Sequence, residues 1–474
     1  MRALSRPAEA WPAPPARAAE PPAEPPAEYA EPWGWAELYI AGQFLWGVAL
    51  FVPGVQPYRA YLRALPYLIS LAAIGYYFRR PTGEPLHASA KWLIASLALL
   101  VLNLLHSTTH STAGIAQVVF QLSIAAPALW MTRAVRSEAK LERVMWIVFL
   151  ASAASALVGI LQVYYPDTFL PPEFSALGME MNPDLVSSLT YRGADDREIV
   201  RPPGLSDMPG GSAVAAMMTM VLGIVLAFRS RVTVPVRALC LTASAIGMTT
   251  LLLTQVRSLA LIAAASVGVF ALLRMRQGRA LAGAASIVLG GALVLGAYVW
   301  AVAVGGDSLA DRFTGLFNDG VVQTFQQERG GFLTATLSDL LFEYPLGAGL
   351  GRWGMMQVYF GDSAMWEAPP IHVEIQPTGW LLDGGIPLWV LMAGAIVAGL
   401  RASYLVAVSA TGSIQESGTA ILCLQLTMLV ICLTGPAFNT QMGIQYWALT
   451  AALWGPVWGA EERLAAHEER AAYA

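Results

Sequence analysis

The sequence predicts an all-α protein that crosses a membrane many times, and three observations support this prediction. Apolar residues fill 56% of the 474 positions and charged residues only 13%, about half the charged share of an ordinary soluble protein. The apolar residues lie in runs close to the length of about 20 that an α-helix needs to cross a bilayer. These runs are continuous, which favours helices over the strands of a membrane barrel.

Each apolar run is predicted to form one helix. Twelve are expected, at 36–54, 60–78, 90–106, 112–132, 143–165, 211–228, 235–254, 257–273, 280–304, 380–400, 417–438 and 443–459. Residues 1–35 carry the proline-rich repeat "PPAEPPAEYAEP", a composition typical of a disordered tail without the apolar core of a cleaved signal peptide. The prediction is a single membrane domain, 36–460, between this tail and a short tail at 461–474.

The basic residues predict the orientation, because cytoplasmic loops are enriched in lysine and arginine. With a cytoplasmic amino terminus, 19 of the 28 basic residues lie inside. The outer side keeps nine arginines: Arg59, Arg63, Arg192, Arg197, Arg201, Arg257, Arg312, Arg329 and Arg352. Both termini are therefore predicted to be cytoplasmic. Two long outer loops are expected at about 166–210 and 305–379, the later one partly helical because "QQERGGFLTATLSDLLFEYPLG" has apolar residues near helical spacing.

Composition also argues against several classes of function. No basic stripe with interleaved aromatic residues suggests a nucleic-acid partner. The three cysteines fall within apolar runs, which predicts buried thiols and neither a disulfide nor a metal site. Ion-coupled transporters usually carry ionisable side chains at mid-membrane, whereas the predicted helices have no carboxylate beyond their first turns, and the polar residues noted in their interiors are uncharged: Asn103, Gln117, Gln121, Gln162 and Gln425.

Arg257 begins a predicted helix at the outer mouth, directly after "TQV". One interpretation is an anchor whose guanidinium reaches the lipid headgroups. The other is an anion clamp, since a guanidinium is always charged and grips phosphate oxygens through two parallel hydrogen bonds.

Three further arginines in the outer loops are candidates for the same anion site. Arg201 precedes two prolines and "PGGS", which forms either an ordinary helix cap or an amide-rich anion site. Arg329, in "QQERGGF", either pairs with Glu328 or Asp339 or contributes its charge to a ligand. Arg352 follows "PLGAGLG", whose glycines predict close packing against a neighbouring helix rather than a dinucleotide site.

His372 and Glu374, in "PPIHVEIQPTGWLLDGGIPLW", are the candidate proton acceptors. A neutral imidazole takes a proton from a hydroxyl, and a nearby carboxylate orients it or raises its basicity; a purely structural histidine is the alternative. Asp383 lies in the first turn of the predicted helix, where a carboxylate favours the helix dipole. His106 and His110, four residues apart, form a weaker metal-site hypothesis that has no third ligand nearby.

The order of these motifs resembles the O-antigen ligase and O-antigen or exopolysaccharide polymerase superfamily of bacterial membrane proteins. The shared features are about twelve helices, a mouth arginine in "TQVRS", and a late outer loop with a central arginine. They continue with "PLGAGLG" and a histidine-containing segment that runs into "DGGIP", and cover roughly residues 201–387. The resemblance implies that Arg257 and Arg329 are essential arginines and His372 the catalytic histidine. Val373 stands where the family usually has asparagine. The distance from His372 to "DGG" is also slightly longer than in the family, so Glu374 is an alternative match for the histidine.

The resemblance implies a metal-independent glycosyltransferase that needs no cofactor and inverts the anomeric centre in a single displacement. Its donor would be a glycan on a polyprenyl diphosphate, and its acceptor a sugar hydroxyl of a second glycan or of a lipid core. The implied location is the bacterial inner membrane, with the site facing the periplasm among membrane lipids and other polysaccharide-assembly proteins. Arginines can neutralise the departing diphosphate, and His372, Glu374 or Asp207 would take the proton.

Several alternatives remain open on the sequence. A ligase and a polymerase share these motifs, and the small number of outer basic residues favours the polymerase slightly, because a phosphorylated lipid core would need a larger cationic patch. A flippase for the same lipid carrier and a non-catalytic membrane scaffold are alternatives from other classes.

Overall fold

The computed structural model describes residues 31–49, 52, 54, 55, 58–79, 86–170, 190–206, 210–318, 320–361 and 369–473. Most of the predicted tail 1–35 lies outside these residues, as do Asp207 and much of the first outer loop. The described part begins with a short extended segment that leads into the first helix at Trp35.

The described residues are mostly helical. The helices are α1 (Trp35–Ala49), α2 (Arg59–Phe78), α3 (Ala88–Leu102), α4 (Ser111–Ala125), α5 (Pro127–Ala134), α6 (Glu138–Tyr164), α7 (Pro166–Phe169), α8 (Ser212–Ala227), α9 (Val234–Leu253), α10 (Arg257–Arg276), α11 (Ala280–Asn318), α12 (Val321–Phe325), α13 (Gly331–Ala335), α14 (Leu341–Glu343), α15 (Gly354–Phe360), α16 (Gln376–Ser409), α17 (Gly412–Ile431) and α18 (Gln441–Tyr473). Strands β1 (Thr190–Arg192) and β2 (Glu198–Val200) lie between α7 and α8. Single π-helical turns, Gln326–Gly330 and Thr336–Leu340, connect α12, α13 and α14.

Eight helical segments of the described chain are long and apolar enough to cross a membrane: Ala88–Leu105, Ser111–Ala134, Glu138–Tyr164, Val234–Leu253, Arg257–Arg276, Ala280–Gly315, Gln376–Ser409 and Gly412–Ile431. The coarse prediction is therefore confirmed: the protein is an all-α, multi-pass membrane protein. Helices also form in the other four predicted runs, as α1, α2, α8 and α18. Whether these four complete a set of twelve spans stays a prediction.

Helix α8 lies in the core of the bundle, where 14 of its 16 residues are buried. It packs against α6, α9 and α10. The contact with α9 is close because glycines lie on both sides of it: a Cβ at Gly223 would be 2.6 Å from the Cys240 carbonyl oxygen, and one at Gly247 would be 2.6 Å from that of Ala216. Small residues of this kind let two membrane helices bring their backbones together.

A partly buried ionic network, in which Arg229, Arg274 and Glu416 are buried, joins helix ends on the predicted cytoplasmic side. The Glu416 carboxylate accepts a hydrogen bond from Arg279 Nη1 at 2.9 Å and lies 3.6 Å from Arg274 Nη2. Arg229, after the end of α8, donates to Glu142 of α6 and to Ser417 of α17, each at 2.8 Å. These charges are shared between several helices, so breaking one partner would leave another buried and uncompensated.

The uncharged polar residues inside the helices hold the bundle together. Gln121 Nε2 donates to Asn439 Oδ1 at 2.9 Å, and Gln425 Nε2 donates to Thr450 Oγ1 at 2.6 Å. Asn103 Nδ2 donates to the Asp383 carbonyl at 2.8 Å. Each bond joins different parts of the chain, so these side chains have structural partners.

Candidate functional site

A β-hairpin within the predicted first outer loop forms one wall of the candidate site, and no strand was predicted there. Its strands pair antiparallel with Tyr191 opposite Ile199, and both of these side chains are buried. The turn places Asp196 at a φ of 61°. The signal in the sequence is a turn-forming "GADD" between two short β-branched and aromatic segments, a pattern typical of hairpins.

The hairpin tip packs against a bend in α11. At Gly306 the helix backbone has a φ of 61°, and a Cβ there would lie 2.8 Å from the Ala194 Cα. The Ala194 N–H donates to the Val304 carbonyl at 3.0 Å, and the Ser308 hydroxyl donates to the Arg192 carbonyl at 2.6 Å. These contacts hold the bend of α11, at residues 304–308, beside the hairpin.

A cavity of about 590 Å³ lies between the hairpin, the α9–α10 turn and the end of α11. We call it the arginine cavity; its lining residues are Thr190, Tyr191, Arg192, Arg201, Gln255, Ser308 and Arg312. Three of the lining side chains are guanidinium groups, and none of the described lining residues carries a carboxylate. Arg192 pairs with Asp196, outside this lining, at 3.7 Å. The described lining itself holds basic and no acidic side chains, which suits an anion.

Two polar groups that line the arginine cavity are buried without a described hydrogen-bond partner. They are the Nε of Arg201 and the hydroxyl of Tyr191, and the Tyr191 residue is only 8% exposed. Burial lowers the pKa of the Arg201 guanidinium and raises that of the Tyr191 phenol. Because buried polar groups usually have partners, this pair favours a ligand that accepts hydrogen bonds and carries negative charge.

The segment that carries Arg201 is held from two sides. The Gly210 N–H donates to the Arg201 carbonyl at 3.0 Å. From the end of α6, the Gln162 side-chain amide donates to the Gly204 carbonyl at 2.9 Å and accepts from the Gly204 N–H at 2.7 Å. These bonds position the backbone that presents the guanidinium to the cavity.

Arg257 lies at the edge of the arginine cavity. It is the first residue of α10, and its Nη1 donates to the Arg312 carbonyl at 3.2 Å. Since Arg312 lines the cavity, the structure brings Arg257 and Arg201 to the same region. Of the six predicted site residues, Arg201 lines the arginine cavity and Arg257 lies at its edge.

Three other predicted residues form a second cluster. His372 Nε2 and Glu374 Oε1 are 2.7 Å apart, and Arg329 Nη1 pairs with the other carboxylate oxygen of Glu374. The His372 side chain is 72% exposed, and the ring of Phe332 lies beside it, 6.0 Å between centroids. With Nε2 engaged by the carboxylate, Nδ1 is the ring nitrogen left for proton transfer.

Arg352 makes the contacts of a structural residue. It is 5% exposed, its Nη1 donates to the Ala348 carbonyl at 2.8 Å, and its Nε and Nη2 donate to the Pro369 carbonyl at 3.2 and 3.0 Å. These bonds tie two stretches of the later loop together. The predicted contact of Arg352 with a diphosphate stays a prediction.

Asp383 lies deeper inside its helix than predicted. Helix α16 begins at Gln376, so Asp383 is about two turns inside it rather than in its first turn. It is 1% exposed; Trp353 Nε1 donates to one carboxylate oxygen at 2.8 Å, and Gln117 Nε2 donates to the other at 3.0 Å. The signal in the sequence for this buried contact is the polar residue Gln117 within an apolar run.

The structure offers no support for a metal site at His106 and His110. The two residues lie on either side of a turn between Asn103–Leu105 and α4, not on one helical face. His106 Nδ1 hydrogen-bonds with the Thr108 hydroxyl at 2.9 Å. Within the described ranges, no group of three His, Cys, Asp or Glu side chains is placed to hold a metal ion.

Comparison with known proteins adds no assignment, since no protein-family model matches the chain and no curated protein matches it significantly. Function must therefore be argued from the chemistry of the site.

Proposed function

We propose that the protein is a membrane glycosyltransferase that moves a glycan from a polyprenyl diphosphate to a sugar hydroxyl. The observation that carries this proposal is the arginine cavity at one end of membrane-spanning helices, with the Arg201 Nε buried in its wall and lacking a hydrogen-bond partner among the described residues. Diphosphate oxygens accept several charge-assisted hydrogen bonds at once. A lipid diphosphate brings such oxygens to the membrane surface while its chain stays in the bilayer.

In the proposed reaction, the acceptor hydroxyl oxygen attacks the anomeric carbon as the bond from that carbon to the diphosphate breaks. The bonding electron pair leaves with the diphosphate, where Arg201 and Arg257 stabilise the added charge. His372 takes the hydroxyl proton through Nδ1, and Glu374 holds the ring through Nε2. A single displacement inverts the anomeric centre and needs no metal ion.

In this proposal Arg329 fixes the carboxylate of Glu374, and so acts on the proton acceptor rather than on the diphosphate. The resemblance to the O-antigen ligase and polymerase superfamily supports the class of reaction and, within this proposal, a site on the periplasmic side of a bacterial inner membrane. Both termini are then cytoplasmic. The expected partners are membrane lipids, the glycan donor, a glycan or lipid-core acceptor and other polysaccharide-assembly proteins; no nucleic acid is expected.

A transporter for the same lipid is the second candidate, and Asp383 is the observation that favours it. A carboxyl group inside a membrane helix often marks an ion path. The hydrogen bonds from Trp353 and Gln117 give this carboxyl group a structural role instead. A vesicle assay separates the two functions, because a transporter moves the lipid without making a glycosidic bond.

The test is reconstitution of the full chain with a polyprenyl-diphosphate oligosaccharide and a candidate acceptor. Arg201→Ala and Arg257→Lys should each lower kcat/KM by roughly 30- to 1000-fold, the equivalent of about 2–4 kcal/mol of transition-state stabilisation. The matched control is Arg197→Ala, because Arg197 belongs to the same hairpin but pairs with Asp195 at 3.1 Å and does not line the cavity. Near-normal transfer by both cavity variants, or no transfer by the wild type, would refute the proposal.

A further inference from the structure

A second, apolar cavity of about 630 Å³ lies beside the arginine cavity, between α9, α10 and α11. We call it the apolar groove. Its lining is almost wholly apolar: Met248, Leu252, Ala260, Leu261, Ala264, Val267, Gly268, Ile287, Gly290, Gly291, Val294, Leu295, Tyr298, Phe313 and Thr314. It therefore suits a hydrocarbon chain and not a second polar ligand.

The groove and the arginine cavity are lined by neighbouring residues of the same elements. Arg312 lines the arginine cavity, and Phe313, next in the chain, lines the groove. Around the α9–α10 turn, Leu252 lines the groove and Gln255 lines the cavity. A polar head bound by the arginines would therefore have its apolar tail at the mouth of the groove.

The length of the groove matches one leaflet. The groove residues of α11 before its bend run from Ile287 to Tyr298, a rise of about 17 Å, which is close to half of the hydrocarbon thickness of about 30 Å. Helix α11 forms the wall of the groove that faces away from the bundle, and only 17% of the residues in its apolar, membrane-crossing segment are buried. Leu295, which lines the groove, is 64% exposed, so the groove is open to the bilayer from the side.

Glycines create the space in the groove. A Cβ added at Gly268 or at Gly291 would meet no heavy atom within 4 Å, so each glycine faces open volume. At Gly290 the helices are in close contact, since a Cβ there would lie 2.7 Å from Val267 Cγ1. Larger side chains at Gly268 and Gly291 would fill the groove without moving the backbone.

We infer that the apolar groove holds the polyprenyl chain of the lipid diphosphate, and that Gly268 and Gly291 determine the acceptance of long chains. The inference rests on the proposed function for the identity of the head group. It commits to one occupant because the arginine cavity at the groove's outer end is complementary to a diphosphate, a head group with more negative charge than a bulk phospholipid phosphate.

The experiment compares Gly268→Leu and Gly291→Leu with Gly296→Leu in reconstituted full-length protein. Gly296 is the matched control, since it also has open space around its Cβ position and lies on α11, but does not line the groove. For a donor with a long polyprenyl chain, the groove variants should raise KM by about tenfold or more, because the leucines displace apolar contacts. For a donor with a short, geranyl-length chain, all three variants should match the wild type.

A direct binding measurement makes failure of this inference distinguishable from failure of the proposed function. A long-chain prenyl diphosphate with a photoreactive group in its tail should crosslink to groove residues, and Gly291→Leu should reduce the yield. Unchanged KM values in both groove variants, or crosslinking displaced equally by phosphatidylglycerol, would overturn the inference even if the enzyme is active. Specific crosslinking without any glycan transfer would support the groove and refute the transferase.

Discussion

At the scale of single residues, Arg201 and Arg329 carry the same charge in opposite settings. The Arg329 guanidinium pairs with Glu374, whereas Arg201 Nε is buried without a described partner. Burying a polar atom without a hydrogen-bond partner costs free energy, and a ligand that accepts a hydrogen bond from Arg201 Nε would offset this cost. This difference is why the diphosphate is assigned to Arg201 and Arg257, and the support of the proton acceptor to Arg329.

The roles of His372 and Glu374 lead to different expected effects. His372→Ala should lower kcat by roughly 10²- to 10⁴-fold, the usual contribution of a general base, and leave binding of the lipid donor unchanged. Glu374→Gln keeps a hydrogen-bonding group beside the ring and should lower kcat less, by about tenfold. Steady-state transfer kinetics and donor binding in detergent measure both effects.

The control for this pair is His106→Ala. His106 is another histidine on the predicted outer side, and its described side-chain contacts are with Thr108. A larger loss of kcat for Glu374→Gln than for His372→Ala would make the carboxylate the proton acceptor. Full turnover by both variants would place the acceptor elsewhere, for example at Asp207.

Residue types and spacing were enough to predict the His372–Glu374 cluster, because the two residues are close in the sequence. They were not enough to predict the partner of Arg329. Glu328 and Asp339 were the nearest acids along the chain, whereas the described partner, Glu374, is 45 residues away. Tyr191, which lines the arginine cavity, was also missed, since a single tyrosine in an outer loop gives no signal of burial.

At the scale of elements, the glycine-rich "PLGAGLG" segment packs along an interruption in α16. The Ala348 N–H donates to the Leu382 carbonyl at 2.7 Å, and the Ile386 N–H donates to the Pro345 carbonyl at 2.9 Å. A Cβ at Gly347 would lie 3.1 Å from the Gly384 Cα. The prediction that these glycines permit close packing against a neighbouring helix is therefore confirmed.

Gly385→Ala should destabilise the protein by about 3 kcal/mol or more, from backbone strain and overlap together. Gly385 has a φ of 64°, and a Cβ would overlap the Pro345 carbonyl oxygen. The control is Gly412→Ala, at a similar φ of 68° but with open space around its Cβ, which should cost only about 1 kcal/mol. Thermal unfolding in detergent measures both; equal shifts in Tm would show that the contact with Pro345 contributes nothing.

Element boundaries were harder to predict than the elements themselves. The predicted end of a helix at Val304 corresponds to the bend at Gly306, but α11 continues to Asn318 because the segment after the bend packs beside the hairpin. Helix α18 also runs to Tyr473, through the predicted tail at 461–474. Hydropathy marks where a helix leaves the apolar region, and it does not mark where the helix ends.

At the scale of the whole molecule, composition predicted an all-α membrane protein correctly and left the burial of each helix undecided. Helix α8 has 16 residues and is about 24 Å long, shorter than a hydrocarbon core of about 30 Å. Its neighbours bury it, so it need not reach both lipid surfaces by itself. Hydropathy cannot separate a buried helix from a lipid-facing one, because both are apolar.

The orientation of the whole bundle is testable with single cysteines in the segments that precede and follow α8. Cys240, Cys423 and Cys432 are buried, so a membrane-impermeant maleimide should label the wild type poorly. Asp195→Cys, in the hairpin turn, should be labelled from the outer side of intact cells. Thr233→Cys, in the turn before α9, should be labelled only after permeabilisation. The reverse pattern would contradict the orientation inferred from the basic residues.

The two hydrogen bonds between Gln162 and Gly204 fix the backbone of the segment that carries Arg201. Gln162, near the end of α6, therefore helps to position Arg201 without a described hydrogen bond to it. The Gln162 side-chain amide pairs with both the N–H and the C=O of Gly204, as a neighbouring β-strand would. Neither glutamate nor leucine at position 162 supplies both a donor and an acceptor. A random screen for loss of activity should therefore recover position 162 as readily as the cationic lining. Its variants would be misread as defects in ligand contact unless the shape of the 201–210 segment were measured as well.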